Sequence, residues 1–215
     1  MKPHDKLYVQ YGCGPCAPEG WLNFDASPTM FFERIPLLGR LCKKNNFRFA
    51  SNVRYGDIVK GLPIANDTAD GLYASHVLEH LAFEDCKKAL TNSYALLKVG
   101  GRFRLIVPNL EMRAEKYVAS STDPVAASAF IQSMGFGETS RPKGVVQRLA
   151  YYFGNGTHLW MWDEASMTAA VRAAGFSHVR RCDFGDSGDP MFALVEERER
   201  FCTDNFRELA MEAIK

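Results

Sequence analysis

A regular alternation of strand-like and helix-like segments through residues 6–108 is the feature that most constrains the fold. Short apolar runs that end at turn residues predict strands at 7–11, 21–25, 52–55, 70–75 and 102–107. Apolar positions at helical spacing predict a helix over 76–97, which Gly100 and Gly101 would end. Strands that alternate with helices favour a mostly parallel central sheet with helices on both faces, so we predict an α/β fold.

Residues 110–160 interrupt this alternation. Further helices are predicted over 28–50, 110–119, 124–134, 163–174 and 198–215, and a closing strand pair over 176–183 and 191–196. We therefore expect one domain over 1–215, in which residues 110–160 form a helical insertion. In open α/β sheets, ligands bind outside the carboxyl ends of the strands, so an insertion after the strand at 102–107 is expected to cap a substrate site.

Composition limits the class of protein. The chain has 215 residues, 47% hydrophobic and 24% charged residues and a formal net charge of +1, which favours neither nucleic acid nor an anionic membrane as a partner. No apolar run approaches the roughly 20 residues of a membrane span. Six cysteines at irregular spacing indicate reduced thiols, so we expect a cytoplasmic protein without a required disulfide.

The loop after the first predicted strand fits two motifs. Gly12-Cys13-Gly14 lets the backbone approach a nucleotide-like ligand closely, whereas Cys13-Gly14-Pro15-Cys16 is also the dithiol tetrapeptide of thioredoxins. A redox dithiol needs a long helix directly after the second cysteine. Here Pro18 and Gly20 follow instead, so thiol–disulfide oxidoreductase activity is kept only as an alternative.

Asp25 ends the second predicted strand and is expected at the surface. A dinucleotide site expects its acidic residue about 20 residues after the first glycine, and Asp25 comes too early for that, which disfavours NAD. A carboxylate at a strand end can still accept hydrogen bonds from two vicinal ribose hydroxyls. The alternative is a solvated strand-end acid.

His76-Val77-Leu78-Glu79-His80 matches the H-x-x-E-H pattern of zinc peptidases. The motif begins where a strand ends, and no third ligand stands at a recognisable spacing. The sequence therefore predicts no metal, with His76 capping a helix and His80 half-buried.

These motifs together resemble a known family. The segments GCG (12–14), GWLNFD (20–25), GDI (56–58), LPIAND (62–67), SHVLEHL (75–81) and LKVGGRF (97–103) have the order and spacing of class I S-adenosylmethionine-dependent methyltransferases. HLWMWD (158–163) and AGF (174–176) are similar to the C-terminal part of small bacterial members associated with glycan and cell-surface polysaccharide pathways. The resemblance implies a Rossmann-like fold and S-adenosylmethionine as the cofactor.

The resemblance also implies roles for individual residues. Gly12 and Gly14 would pass under the methionine part of the cofactor, and Asp25 would hold the ribose. Asp57 would accept from the adenine amino group, with Ile58 packed on the ring, and Ser75 and His76 would lie by the sulfonium.

Methyl transfer needs positioning first, and a base only where the acceptor must lose a proton. We predict His158 as the general base at the mouth of the cap, with His76 as a second catalytic residue. Residues expected to line an acceptor pocket are Arg113, Tyr117, Arg141, Tyr151, Tyr152 and Trp160. The predicted reaction is methyl transfer to an oxygen or other polar acceptor on a small molecule or glycan; a cofactor-binding pseudo-enzyme is the alternative.

Overall fold

The computed structural model describes residues 6–28, 30, 49–137, 139–141, 143, 144 and 157–215. Its central sheet begins with five parallel strands. They are β1 (Tyr8–Tyr11), β2 (Trp21–Asp25), β3 (Val53–Tyr55), β4 (Ala69–Ser75) and β5 (Leu97–Val107). Each predicted strand of residues 6–108 is thus present, because each short apolar run is bounded by turn residues and buried in the sheet.

The C-terminal part of the chain completes the sheet. Its strands are β6 (Ser177–Arg181), β7 (Cys202–Thr203), β8 (Phe206–Arg207) and β9 (Leu209–Ile214). The seven-stranded order is β3-β2-β1-β4-β5-β9-β6, with β9 antiparallel to both neighbours, and β7 and β8 form a separate hairpin. The order reverses between β1 and β4, and such a switch point opens a ligand crevice at the carboxyl ends of the strands.

Helices cover both faces, as predicted. The α-helices are α1 (Phe83–Leu96), α2 (Leu110–Ala119), α3 (Ala126–Ser133) and α4 (Glu164–Ala173). Helices α1 and α4 share one core with the sheet, and 3₁₀ helices at Pro190–Leu194 and Arg198–Arg200 lie over the other face, where Phe192 and Phe201 contact Tyr8 and Ile106. The mostly parallel α/β fold is therefore confirmed.

The predicted C-terminal helix over 198–215 is wrong. Residues 209–214 form β9, whose Leu209, Met211 and Ala213 enter one core while Ala210 enters the other. The predicted strand over 191–196 is also wrong, because β9 is the partner of β6 and residues 190–194 form a 3₁₀ helix. Burial of both faces of β9 between β5 and β6 overrides the helix propensity of its residues.

The predicted helix over 76–97 begins later than expected. His76 has a φ of +54° and a 3₁₀ helix follows at Leu78–His80, so α1 starts only at Phe83. The left-handed backbone at His76 turns the chain sharply off β4 and prevents a continuous helix. His76 is thus not a helix cap. The prediction over 28–50 lies largely outside the described residues.

The residues on either side of the expected insertion lie next to each other in the structure. Asn109 pairs with Trp162 in a short bridge, and the amide of Leu110 donates to the Trp162 carbonyl at 3.0 Å. Among the described residues, no helix is both long and apolar enough for a membrane span.

Candidate active site

A cavity of about 220 Å³ lies at the carboxyl ends of β1 to β4. Its lining is Tyr11, Gly12, Asp25, Ala26, Ser27, Gly56, Asp57, Ile58, His76, Val77, His80 and Leu81. Five of the seven predicted cofactor residues therefore face one space: Gly12, Asp25, Asp57, Ile58 and His76. The topology brings them together because they follow or end four neighbouring parallel strands.

The glycine loop approaches the turn after β4 very closely. Gly12 has a φ of +62°, and a Cβ there would lie 2.2 Å from Cγ2 of Val77. Only glycine fits both the left-handed backbone and this contact. Gly14 does not line the cavity, but its amide donates to Oδ2 of Asp25 at 3.1 Å, which ties the loop to β2.

Asp25 is buried, with only 6% of its surface exposed, rather than solvated at the surface as expected. Its Oδ1 accepts from the amide of Ser27 at 2.7 Å, and its Oδ2 accepts from Gly14. A carboxylate has about four acceptor positions, so lone pairs remain for hydroxyls of a bound ligand.

Asp57 and Ile58 follow β3 on the opposite wall. Oδ1 of Asp57 accepts from the amide of Val59 at 3.0 Å, and Lys60 lies 3.1 Å from Oδ2. Ile58 is buried and supplies an apolar surface beside this carboxylate. The pair therefore offers an acceptor and a flat apolar contact, which suits an amino-bearing aromatic ring.

Ser75 lines a narrow cavity next to the first one, together with Gly12, Cys13 and Cys16. The Oγ atoms of Ser75 and Ser27 are buried and have no hydrogen-bond partner among the described residues. Buried polar atoms are normally paired, so both hydroxyls fit contacts to a polar ligand along the two cavities. The residues present thus fit a cofactor that carries hydroxyl, ammonium and carboxylate groups.

His76 stands between the cofactor cavity and its neighbour. Its Nε2 donates to the Arg200 carbonyl at 3.0 Å, and its Nδ1 lies 3.2 Å from Oε1 of Glu79. Burial lowers the pKa of His76, but Glu79 and the Arg200 carbonyl outweigh this and raise the pKa above its ordinary value. Both ring nitrogens are engaged, so His76 is held in one orientation at the end of β4.

A second cavity, of about 370 Å³, shares His76 and His80 with the first. Its lining comes from the 3₁₀ turn after β4, from Gln132 and Gly135, and from the β7–β8 hairpin. His158 also lines this cavity. The two cavities together form a continuous candidate site for a cofactor and an acceptor.

His158 is fixed by backbone contacts. Its Nδ1 lies 2.8 Å from the Met134 carbonyl oxygen. The ring packs against Gly135, where an added Cβ would lie only 2.6 Å from Nδ1. Burial lowers the pKa of His158 below its ordinary value despite the opposing charge of Glu79. When the neutral ring donates its proton from Nδ1 to this carbonyl, the lone pair of Nε2 is free to accept a proton.

The predicted acceptor residues have other contacts. Arg113 lines the second cavity, but its guanidinium is held by both oxygens of Glu208 at 2.8 Å and by the Ser133 carbonyl. Tyr117 stacks on Phe130 and Trp160 packs on Phe83, and neither lines this cavity.

Arg141 is exposed, and Tyr151 and Tyr152 lie outside the described residues. Glu79 is among the acids that the sequence offers but was not predicted as a site residue; its side chain is completely buried, and it lines the second cavity. Its place in H-x-x-E-H was the available signal.

The dithiol interpretation does not fit this loop. Burial raises the pKa of Cys13 to about 12, with Asp25 adding to the shift, and burial also raises the pKa of Cys16. A redox dithiol needs a lowered pKa at its first thiol and a helix dipole behind it. Residues 12–20, all of which the structure describes, contain no helix.

Comparisons with known proteins agree with this geometry. Residues 9–105 match the family model described as a methyltransferase domain, and no curated protein sequence matches the chain. The match covers the strands and turns that build the cofactor cavity. Residues 9–105 therefore resemble a methyltransferase domain, and on this fold the lining of the smaller cavity fits S-adenosylmethionine as the methyl donor.

Solved structures share the fold at low identity. A possible histamine N-methyltransferase from Thermotoga maritima aligns with a TM-score of 0.51 at 14% identity, over 97% of this chain and 82% of that one. PigF with S-adenosylhomocysteine aligns with a TM-score of 0.50 at 16% identity, over 98% of this chain and 50% of that one. A SAM-dependent methyltransferase from Archaeoglobus fulgidus gives 0.49 at 17% identity, over 98% and 86%.

Proposed function

We propose that this chain transfers a methyl group from S-adenosylmethionine to an oxygen of a small molecule or glycan in the cytoplasm. The observation that carries the proposal is the junction of the two cavities at His76 and His80. An acceptor in the larger cavity meets the ligand of the smaller one at this junction. The described cysteines are free thiols, which fits a reducing compartment.

The proposed cofactor contacts follow the lining of the smaller cavity. Asp25 accepts from the ribose hydroxyls, Asp57 accepts from the adenine amino group and Ile58 packs on the ring. Gly12 and Gly14 shape the loop beneath the methionine part, with Ser75 and His76 beside it. Two carboxylates also suit a ligand that carries a sulfonium and an ammonium group.

The shape of the glycine loop disfavours a dinucleotide. A pyrophosphate is normally held at the N-terminus of the helix that follows the first strand. Residues 12–20 form turns without a helix, so the amide cluster and dipole for a pyrophosphate are missing from this described segment. S-adenosylmethionine has no phosphate and does not need them.

The protein's part in the reaction is to position and activate the acceptor. S-adenosylmethionine, when bound, supplies a methyl group that is already electrophilic. His76 is held by Glu79 and Arg200 at the junction and orients the acceptor oxygen. His158 presents its free Nε2 to the larger cavity, where it assists removal of the acceptor proton.

A pseudo-enzyme would keep the cofactor cavity and lack an acceptor cavity. The 370 Å³ space beside His76 and His158 favours an enzyme over this alternative. Arg113 supports that cavity indirectly, because its pairing with Glu208 holds the β7–β8 hairpin against α2.

Calorimetry tests the cofactor part of the proposal. We expect S-adenosylhomocysteine to bind with 1:1 stoichiometry and NAD to give no heat under the same conditions. Binding of NAD without binding of S-adenosylhomocysteine would overturn the assignment.

A radiolabelled methyl donor tests the acceptor. The protein is incubated with separate panels of phenols, catechols, sugars, carboxylic acids and amines, and label transfer is counted. We expect transfer to hydroxyl compounds. Transfer confined to amines, or tight cofactor binding with no transfer to any panel, would contradict oxygen methylation.

A further inference from the structure

We propose that Glu79, His80 and His158 bind one divalent first-row transition metal ion at the floor of the larger cavity. The binding itself is independent of methyl transfer; only the role of the ion rests on the proposed function. Sequence reasoning rejected a metal because H-x-x-E-H lacked a third ligand. The fold supplies that ligand from His158, which is distant in sequence.

The three side chains are close enough to share an ion. One ligand-capable atom from each of them lies within 4.8 Å of the other two. Zinc binds imidazole nitrogen and carboxylate oxygen at about 2.0–2.2 Å, so two ligands of one ion are separated by up to about 4 Å. Small inward movements of the side chains therefore suffice to close the site.

Glu79 gives an independent reason to expect a cation. Its side chain has 0% exposure, and neither carboxylate oxygen has a hydrogen-bond partner among the described residues. Oε1 lies 3.2 Å from Nδ1 of His76, and Oε2 has no partner among the described residues. A buried carboxylate without hydrogen bonds is costly, and buried charges are normally paired or coordinate metals.

Both histidines have the second contact that metal ligands usually have. Nδ1 of His80 lies 3.1 Å from the Thr157 carbonyl, and Nδ1 of His158 lies 2.8 Å from the Met134 carbonyl. A ring that donates from Nδ1 to a carbonyl is fixed as the tautomer whose Nε2 carries the lone pair. Such contacts orient metal-bound imidazoles and raise their basicity.

The backbone holds the ligands together before any ion binds. The Glu79 carbonyl accepts from the amides of Leu159 at 2.7 Å and Trp160 at 3.1 Å. These bonds attach the chain around His158 directly to the turn that carries Glu79 and His80. Gly135, with a φ of +72°, leaves room for the His158 ring.

Two of the surrounding cationic groups are paired with carboxylates outside the cluster, and His76, 3.2 Å from Oε1 of Glu79, shares that carboxylate with the proposed ion. Arg113 is neutralised by Glu208, and Arg200 lies 3.3 Å from Glu197. The carboxylate of Glu79 is therefore the charge that faces the two imidazoles. Two nitrogens and one carboxylate favour zinc, cobalt, iron or manganese over magnesium or calcium, which prefer oxygen ligands.

A bound ion would also have a chemical role in the larger cavity. Three protein ligands leave at least one position open to water or to an acceptor oxygen. A coordinated hydroxyl loses its proton to solvent more readily, so the ion supplies the activation that His158 would otherwise supply as a base. The acceptor class is then a chelating one, such as a catechol or a vicinal diol.

Metal titration without cofactor or acceptor tests the site. Tag-free protein is stripped with a chelator and titrated separately with Zn²⁺, Co²⁺ and Mg²⁺ in a calorimeter, and the Co²⁺ complex is examined by visible absorption. We expect one tight site for Zn²⁺ and Co²⁺, d–d bands for bound Co²⁺, and much weaker binding of Mg²⁺.

Variants assign the site to its residues. Glu79→Gln, His80→Ala and His158→Ala should each weaken Zn²⁺ binding at least about 100-fold, since loss of even an outer contact of a metal ligand costs 10–100-fold. The control is His178→Asn, an exposed histidine on β6, which should bind Zn²⁺ as the unaltered protein does. Asparagine tolerates the left-handed φ at that position.

Thermal melting separates loss of a ligand from loss of folding. Zn²⁺ should raise the Tm of the unaltered protein and of His178→Asn, and should not raise that of Glu79→Gln. Glu79→Gln without metal should melt no lower than the unaltered protein, because it removes a buried charge. Stoichiometric Zn²⁺ binding that survives Glu79→Gln and His158→Ala, or absence of a tight site, would overturn the proposal. S-adenosylhomocysteine binding, measured in parallel, tests the proposed function separately.

Discussion

At the scale of single residues, Asp25 is a carboxylate that holds two backbone amides and also lines the smaller cavity. Its two oxygens hold the amides of Gly14 and Ser27, which fixes the glycine loop and the start of the segment after β2. The remaining lone pairs face the cavity. A side chain placed in this way is preorganised, since the protein has already met the cost of ordering it.

Asp25→Asn should weaken S-adenosylhomocysteine binding about tenfold to 150-fold, because hydrogen bonds to a charged group contribute about 1.5–3 kcal/mol. Isothermal titration calorimetry measures the change. The variant should also lower Tm, since one oxygen that accepted an amide becomes a donor. Asp85→Asn, on the exposed surface of α1, is the control and should alter neither quantity. Unchanged affinity in Asp25→Asn would show that the carboxylate serves only the loop.

The cysteines of the glycine loop should react slowly with thiol reagents. The pKa of Cys13 is raised to about 12, so its reactive thiolate is scarce at pH 7 and remains so at pH 9. In a variant with Cys42→Ser and Cys202→Ser, we expect Ellman's reagent to modify Cys13 only on denaturation. Rapid modification of Cys13 at pH 7 would instead restore the oxidoreductase alternative.

At the scale of elements, the sequence predicts those strands and turns that depend on a local pattern of residues. The strands of residues 6–108 were found because each is a short apolar run between turn residues. The predicted cofactor residues were chosen because each lies next to such a strand, and five of them line one cavity. β9 was missed because Leu209–Ile214 consists mainly of helix-forming residues, and only its pairing with β5 and β6 makes it a strand.

The larger cavity depends on contacts between residues that are distant in the sequence, and no local sequence pattern predicts such contacts. The amides of Leu159 and Trp160, next to His158, donate to the Glu79 carbonyl across the fold. Arg113 is paired with Glu208 rather than free for an acceptor. Sequence reasoning therefore predicted His158 as a site residue but did not predict that it lies beside Glu79 and His80.

Leu209→Ala should destabilise the protein by about 2–5 kcal/mol, because the side chain is 0% exposed in the core beside β5. Chemical denaturation measures the free energy of unfolding. The matched control, Leu194→Ala, removes a leucine that is 48% exposed and should change that energy by less than about 0.5 kcal/mol. Equal effects of the two substitutions would contradict the placement of β9 inside the sheet.

At the scale of the whole molecule, the two cavities are lined by different parts of the chain. The methyltransferase-domain match ends at residue 105, and the strands and turns within it surround the smaller cavity. The larger cavity adds later residues of the chain, which are Pro108, Arg113, Gln132, Ser133, Gly135 and His158, and, in and beside the β7–β8 hairpin, Arg200, Thr203, Asp204 and Glu208. The two parts meet at the turn after β4, where His76 and His80 line both cavities.

This division predicts that cofactor binding and methyl transfer can be lost separately. His158→Ala should lower the transfer rate by about 10²–10⁴-fold, the range for loss of a group that assists proton removal, with an acceptor found in the radiolabel panels. Its affinity for S-adenosylhomocysteine should stay within about twofold, because His158 lies outside the smaller cavity. Asp25→Asn should show the reverse pattern, with weaker cofactor binding and transfer that recovers at saturating cofactor. Loss of S-adenosylhomocysteine affinity in His158→Ala, with Tm unchanged, would mean that the two cavities work as one site.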